Sequence, residues 1–224
     1  MTLSIAARCP QTGMFGLAIA SSSPAVAARC VHVRAGVGAV ASQNVTDPAL
    51  GLRGLDLLAT GRSAAETLAD LLVDYPHAAY RQLALVDRHG GTAVYTGAKA
   101  LGLHASAEGP GCVAAGNLLA TTHVPSAMIA AFARGAGQFG DRLLAALAVG
   151  LAAGGEAGPL RSASLCLVRE VAWPVADLRV DWTDKDPIAE LQGLWRLYEP
   201  QLDDYVRRAL DPEAAPSYGV PGDP

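Results

Sequence analysis

The sequence predicts an α+β fold, a four-layer αββα sandwich of two antiparallel sheets flanked by helices. Three observations lead there. The segments run as strands, two helices, strands, two helices, two strands and a helix. That order lacks the regular βαβ alternation of a doubly wound parallel sheet. It also holds too many helices for a plain β-sandwich, so helix pairs must cover the outside of paired sheets. With 224 residues, 51% of them hydrophobic, the chain can build one domain over residues 1–210. Aromatics are only 5%, so the core must consist mostly of Ala, Val, Leu and Ile.

Leu3, Ile5 and Ala7 alternate with Thr2, Ser4 and Ala6, the period of a strand. A turn, Cys-Pro-Gln-Thr-Gly, follows, and Phe15 to Ala20 completes a hairpin. This second strand runs out into Ser21, Ser22, Ser23 and Pro24. A loop or short helix is expected through Arg29 and His32. Gly36 to Ser42 is almost wholly apolar, as in a strand buried on both faces. Asp47 and Pro48 have the types of an N-cap and a first helical residue. Leu50, Gly54, Leu57 and Leu58 keep helical spacing until Gly61. Ser63-Ala-Ala-Glu66 is a capping box that opens a second helix, which Tyr75-Pro76 ends.

Arg81 to Asp87 and Thr92 to Thr96 read as a second hairpin around a turn at His89, Gly90 and Gly91. Gly111 to Asn117 is a further short strand. Pro125 to Arg134 and Phe139 to Ala153 are helical; Leu143, Leu144, Leu147 and Leu151 form one stripe of the latter. Ser162 to Glu170 and Asp177 to Trp182 are strands. One last helix starts at Asp186-Pro187 and passes Leu191, Leu194, Trp195, Tyr198 and Val206. The tail, 211–224, is rich in Pro, Gly and acidic residues and is predicted to be disordered.

The net charge is -4, and lysine occurs only at Lys99 and Lys185, which argues against a nucleic-acid partner. No run of about 18 apolar residues predicts a membrane span, and no leader pattern opens the chain. A cytoplasmic location is therefore expected. Cys9, Cys30, Cys112 and Cys166 form no CxxC pair and read as free thiols. His32, His77, His89, His104 and His123 show no metal-ligand spacing, so no metal or other cofactor is expected. Ala-rich helices point to a homodimer or higher homo-oligomer.

Thr2 is the first candidate for chemistry. Removal of Met1 would leave its α-amine beside its own hydroxyl. An α-amine titrates at about 7.7–8.0, so near neutrality it can take the hydroxyl proton and activate the oxygen. The plainer reading is a threonine in a strand, where the residue is common. Ser21, Ser22 and Ser23 end the paired strand, beside the start of the first, and can bind substrate; a serine-rich turn is the alternative. Arg34 can orient a substrate carboxylate or be a surface ion pair. Gln43, Asn44 and Thr46 lie where a strand meets a helix start, a place for oxyanion donors or simple caps. Asn117 ends its strand and offers an amide to an oxyanion, or merely turns the chain. Ser162 is a weaker candidate of the same kind, and His123 lies near Asn117 in sequence.

Several segments carry a family resemblance: Thr-Leu-Ser-Ile-Ala-Ala-Arg-Cys-Pro at 2–10, Arg-Ala-Gly-Val-Gly-Ala-Val-Ala-Ser-Gln at 34–43 and Gly-Leu-Arg-Gly-Leu-Asp-Leu-Leu at 51–58. Gly-Asn-Leu-Leu-Ala at 116–120 and Asp-Leu-Arg-Val-Asp at 177–181 add to it. Together they resemble an uncharacterised bacterial domain-of-unknown-function family of the N-terminal-nucleophile (Ntn) hydrolase superfamily, with a proteasome β-subunit-like fold. The resemblance implies Thr2 as nucleophile. It also shows a departure, because the proteasome relatives place a lysine in the third strand and this chain has none there. Arg34 is the nearest positive charge in sequence, and a guanidinium stays protonated and cannot serve as a base. The expected function is an amidohydrolase cleaving a C–N bond in a small, anionic metabolite. The alternatives are a non-catalytic binding or assembly module on the same scaffold, and a Cys- or Ser-dependent hydrolase working elsewhere.

Overall fold

A computed structural model describes residues 2–221. The hairpin forms from β1 (Thr2–Arg8) and β2 (Phe15–Ser21), in a register that sets Thr2 opposite Ser21. Next come the short helix α1 (Ala27–Cys30), β3 (Val31–Arg34) and β4 (Gly38–Asn44). Helices α2 (Pro48–Ala59) and α3 (Ala64–Leu72) lead to the hairpin β5 (Arg81–Asp87) and β6 (Thr92–Thr96). Then follow β7 (Ala105–Gly109), β8 (Cys112–Asn117), α4 (Val124–Arg134) and α5 (Phe139–Ala152). Strands β9 (Ser162–Val168) and β10 (Ala176–Val180) precede α6 (Pro187–Tyr198) and α7 (Leu202–Leu210).

The helix starts are local and legible. The Asp47 carboxylate accepts from Ala49 N at 3.0 Å, with Pro48 just inside α2. Ser63 Oγ accepts from Glu66 N, and Glu66 Oε2 accepts from Ser63 N at 2.9 Å, completing the capping box. Asp186 caps α6 through Ile188 N. Each cap stabilises its helix by about 1 kcal/mol.

The strands form two sheets in the orders β10-β9-β2-β1-β8-β7 and β3-β4-β5-β6, antiparallel throughout. Alternation splits each strand between two layers. Leu3, Ile5, Ala18 and Leu165 pack outward on α4, α5 and α6, against Met128, Leu143, Leu147 and Trp195. Ala6, Leu17 and Ile19 face the second sheet, where Ala39, Ala41, Ala84 and Val86 meet them. Val40, Leu83 and Leu85 point outward under α2 and α3, to Leu50, Leu55, Leu58 and Leu71. The result is the αββα sandwich that the element order predicts. The middle layer is dominated by small side chains, so the sheets can approach closely. Helix α5 also packs closely: a Cβ on Gly140 would stand 2.5 Å from the Trp195 ring.

Some elements differ from expectation. β3 has four half-buried residues, too few to show a period, and was expected as loop or helix. β7 is an edge strand of small residues with alternate positions exposed. β4 begins at Gly38 because Gly36 takes a turn conformation at φ 69°. The last helix divides: Pro200 has no N–H to donate, a 3-10 turn spans Glu199–Gln201, and α7 starts afresh. Residues 211–221 form no helix or strand, although Arg208 donates to Pro216 O and Ser217 O. Positions 222–224 of the tail, and Met1, lie outside the described residues.

Asp87 ties the second sheet to α3. It is buried, and its carboxylate accepts from Ala64 N, His89 N and Gly91 N, each at 2.9 Å. Asp87→Ala leaves these donors unpaired. It is expected to lower unfolding free energy by about 3 kcal/mol, read as an earlier urea midpoint with unchanged slope.

Candidate active site

Alternation along β1 sends Thr2, Ser4 and Ala6 into the space between the sheets. Thr2 starts the strand and has two partners across the sheet, Ser21 on β2 and Asn117 on β8. It is 5% exposed. Below it runs a buried chain of amides that joins the sheets. Ser4 Oγ donates to Gln43 Oε1 at 2.7 Å, and Gln43 Nε2 donates to Gln82 Oε1 at 2.8 Å. Asn117 Nδ2 donates to the same Gln82 oxygen at 3.1 Å. Gln82 Nε2 donates to Thr96 Oγ1 and to the Gly116 carbonyl at 3.0 Å.

The Gly116 carbonyl can only accept. Gln82 must therefore turn its nitrogen toward Gly116 and its oxygen toward Gln43 and Asn117. Both of these must then donate to it, so Asn117 Oδ1 points away from the network. That oxygen is buried and has no hydrogen-bond partner.

A second chain leads from Thr2 to a positive charge. Thr2 Oγ1 lies 3.4 Å from Ser21 Oγ, which lies 2.9 Å from Ser23 Oγ. Arg29 Nη2 donates to Ser23 Oγ at 3.0 Å. Ser162 Oγ holds this turn in place, donating to Ser23 O at 2.6 Å and accepting from Val26 N. Thr46 Oγ1 is 3.5 Å from Cys30 Sγ. Burial pushes the Cys30 thiol up, which keeps it protonated at neutral pH.

Sequence reasoning missed Glu156. The turn after α5, with Gly154 and Gly155 at positive φ, brings it to an isolated bridge with Leu119, two residues beyond Asn117. It is buried, and neither carboxylate oxygen has a hydrogen-bond partner of ordinary geometry. Burial pushes its pKa up to about 7, against the pull of the positive charge at the chain's start and of the Ser22 hydroxyl and N–H. One signal was available: Glu156 is the lone charged residue in the apolar run from Leu143 to Leu160.

The structure thus gathers Thr2, Ser21, Ser22, Ser23, Gln43, Asn117 and Ser162 at one rim, and adds Gln82, Arg29 and Glu156. It sends two expected residues elsewhere. Arg34 pairs with Gly38 at the far end of β4 and binds Asp56 on α2 at 2.9 Å. Gly38 lies about 17 Å along the strand from Gln43, because the strand rises about 3.4 Å per residue. The strand's direction, which spacing does not show, takes Arg34 from the rim. Asn44 adopts φ 74° and ties loops together, donating to Tyr80 O and accepting from Leu101 N. His123 is exposed and meets Ser126 at 3.1 Å. The four cysteines are free and buried. Among the described residues no cluster of His, Cys, Asp and Glu could hold a metal, and no helix is long and apolar enough to cross a membrane. A crevice of about 70 Å³ between α5, α6 and α7, lined by Phe139 and Trp195, lies on the outer face of the first sheet, away from Thr2.

Residues 2–191 match the family of unknown function DUF1028, and the chain belongs to that family. It is similar to the crystal structure of protein SPO2555 from Silicibacter pomeroyi, described under the same family model. That match has 30% identity and a TM-score of 0.85, and covers 92% of this chain and 90% of the other. Anbu (ancestral beta-subunit) from Yersinia bercovieri aligns over 92% of this chain and 97% of its own, at 13% identity and a TM-score of 0.36. No curated protein matches the chain.

The amide chain should act as one unit. Gln43→Leu and Gln82→Leu are each expected to cost about 2–3 kcal/mol, because buried donors lose their acceptor. Their double-mutant cycle should show a coupling of about 1–2 kcal/mol in urea unfolding. Glu156 makes a pH prediction. Its folded pKa of about 7 stands above the unfolded value of 4.5, so the folded state holds a proton that the unfolded chain has released. That contribution is full below pH 4.5 and is lost as the pH rises toward 7. Stability should therefore fall across this window, and Glu156→Gln should flatten the fall in a series of urea titrations.

Proposed function

We propose that the protein is an Ntn amidohydrolase that cleaves a C–N amide bond in a small metabolite, with Thr2 as nucleophile once Met1 is removed. One observation carries this reading: Thr2 starts a central strand, faces the space between the sheets, and stands between Ser21 and Asn117. The α-amine takes the Thr2 hydroxyl proton, and Oγ1 attacks the substrate carbonyl. The electron pair of the C=O bond moves to oxygen. Asn117, which spends one Nδ2 hydrogen on Gln82, has a second for this oxyanion. On collapse the C–N bond breaks and the leaving nitrogen takes the proton back from the amine. Water then hydrolyses the Thr2 ester.

Arg34 has no part in this scheme. The positive charge linked to the rim is Arg29, so an anionic substrate group would be met there, beside Ser22 and Ser23. The protein works in the cytoplasm, where four free thiols persist. It associates as a homo-oligomer, for which the exposed Trp173, Trp182 and Leu197 supply apolar surface. A second reading, a binding or assembly module, draws support from the burial of Thr2, which leaves little of its side chain open to a substrate.

Intact-mass measurement of the purified protein is expected to show the loss of Met1. A screen of amide and lactam substrates is expected to yield turnover that Thr2→Ala lowers by about a thousandfold or more. Retention of Met1, or full activity in Thr2→Ala, sinks the nucleophile reading. A screen that finds binding without turnover favours the module.

A further inference from the structure

Three buried oxygen atoms near the start of β1 lack a hydrogen bond of ordinary geometry, and only the Ser22 hydroxyl and N–H reach toward two of them. They are Asn117 Oδ1 and the two carboxylate oxygens of Glu156. Their residues are brought together by the backbone. Asn117 is the strand partner of Thr2, and Glu156 bridges Leu119 just beyond it, beside the Ser22 turn. Asn117 cannot satisfy its oxygen by flipping, since Gln82 needs its nitrogen. Buried acceptors short of donors call for another donor, and a carboxyl in such a place calls for a cation or a proton. An α-ammonium offers three N–H groups and a positive charge.

We propose that Glu156 and Asn117 Oδ1 form the seat of the α-amine of mature Thr2, and that Glu156 holds the proton the amine takes from the Thr2 hydroxyl. The proposal rests on Thr2 being the nucleophile. Glu156 is a positioning residue, acting through the amine. As the Thr2 O–H bond breaks, an N–H bond forms. A second N–H proton passes to a Glu156 oxygen, so the amine returns to its neutral form. When the C–N bond of the substrate breaks, the proton runs back through the amine to the leaving nitrogen, and none is gained or lost. The raised pKa of Glu156, brought on by burial, lets it exchange a proton with an amine near neutral pH. The segments against it, 118–120 and the serine turn 21–23, carry no other titratable side chain. Arg29, bonded to Ser23, and the Cys30 thiol are the nearest charged and titratable groups on α1.

The test follows the amine itself. The intact mature protein is acetylated with limiting acetic anhydride across a pH series, and N-terminal labelling is quantified by mass spectrometry. In Glu156→Gln, which is close in shape but uncharged, the midpoint of labelling should drop by about one pH unit, as the anion that favours the ammonium is gone. Glu156→Asp should drop it less, and decides the matter if Glu156→Gln does not fold. The pH profile of kcat/KM on any substrate found should move in the same direction. Superimposed labelling curves for wild type and variants overturn the seat while leaving Thr2 as nucleophile. A shifted curve with a fully active Thr2→Ala supports the seat and removes the nucleophile. Retained Met1 overturns both.

Discussion

The Gly116 carbonyl accepts hydrogen bonds and never donates, and this constraint sets the direction of every amide between the sheets. Gln82 gives it a proton, so Gln82 must receive from Gln43 and Asn117. Ser4 must then donate to Gln43. In a layer otherwise built mostly from Ala, Val, Leu and Ile, a half-satisfied network would cost more than an apolar one. The network closes because each sheet supplies members at matching heights. It fixes the spacing and register of β1, β4, β5 and β8 at the end where Thr2 stands. The same constraint leaves Asn117 Oδ1 turned away from the network with no partner, and so shapes the site as well as the fold.

Two further features converge on that end. The serine turn after β2 carries a hydrogen-bond chain from Thr2 to Arg29, braced from below by Ser162. The tight turn after α5 delivers Glu156 into a buried place beside Ser22, where neither carboxylate oxygen has a hydrogen bond of ordinary geometry. A guanidinium and a carboxyl thus both reach the serine turn beside the start of β1. Under the proposed function, these two groups manage charge at the rim. In the proposed scheme, the guanidinium stays charged and fixed, while the carboxyl gains and loses a proton.

Much of the fold was legible in the sequence because its signals are local. Asp47-Pro48 and Ser63-Ala-Ala-Glu66 announce helix starts by chemistry that acts within three residues. The alternation in β1 and β5 announces which residues face which layer. β3 and β7 were missed for the same reason in reverse: one is too short to show a period, and the other is an edge with little to bury. The site was half legible. Ser21, Ser22, Ser23 and Asn117 follow from hairpin pairing and strand ends. Arg34 was misplaced because proximity along the chain does not reveal which end of a strand a residue occupies. Gln82 and Glu156 act across sheets and turns that only the folded chain brings together; Glu156 left just the trace of a lone charge in an apolar run.

The central claim is that the Thr2 oxygen attacks. Its most direct test is to trap the intermediate: incubate the mature protein with an acylating β-lactone, quench with acid, and map the modified peptide by mass spectrometry. The account predicts one acyl group on the N-terminal peptide, carried by the Thr2 oxygen and absent from Thr2→Ala. Stoichiometric acylation of a cysteine or an internal serine instead, unchanged in Thr2→Ala, would contradict it.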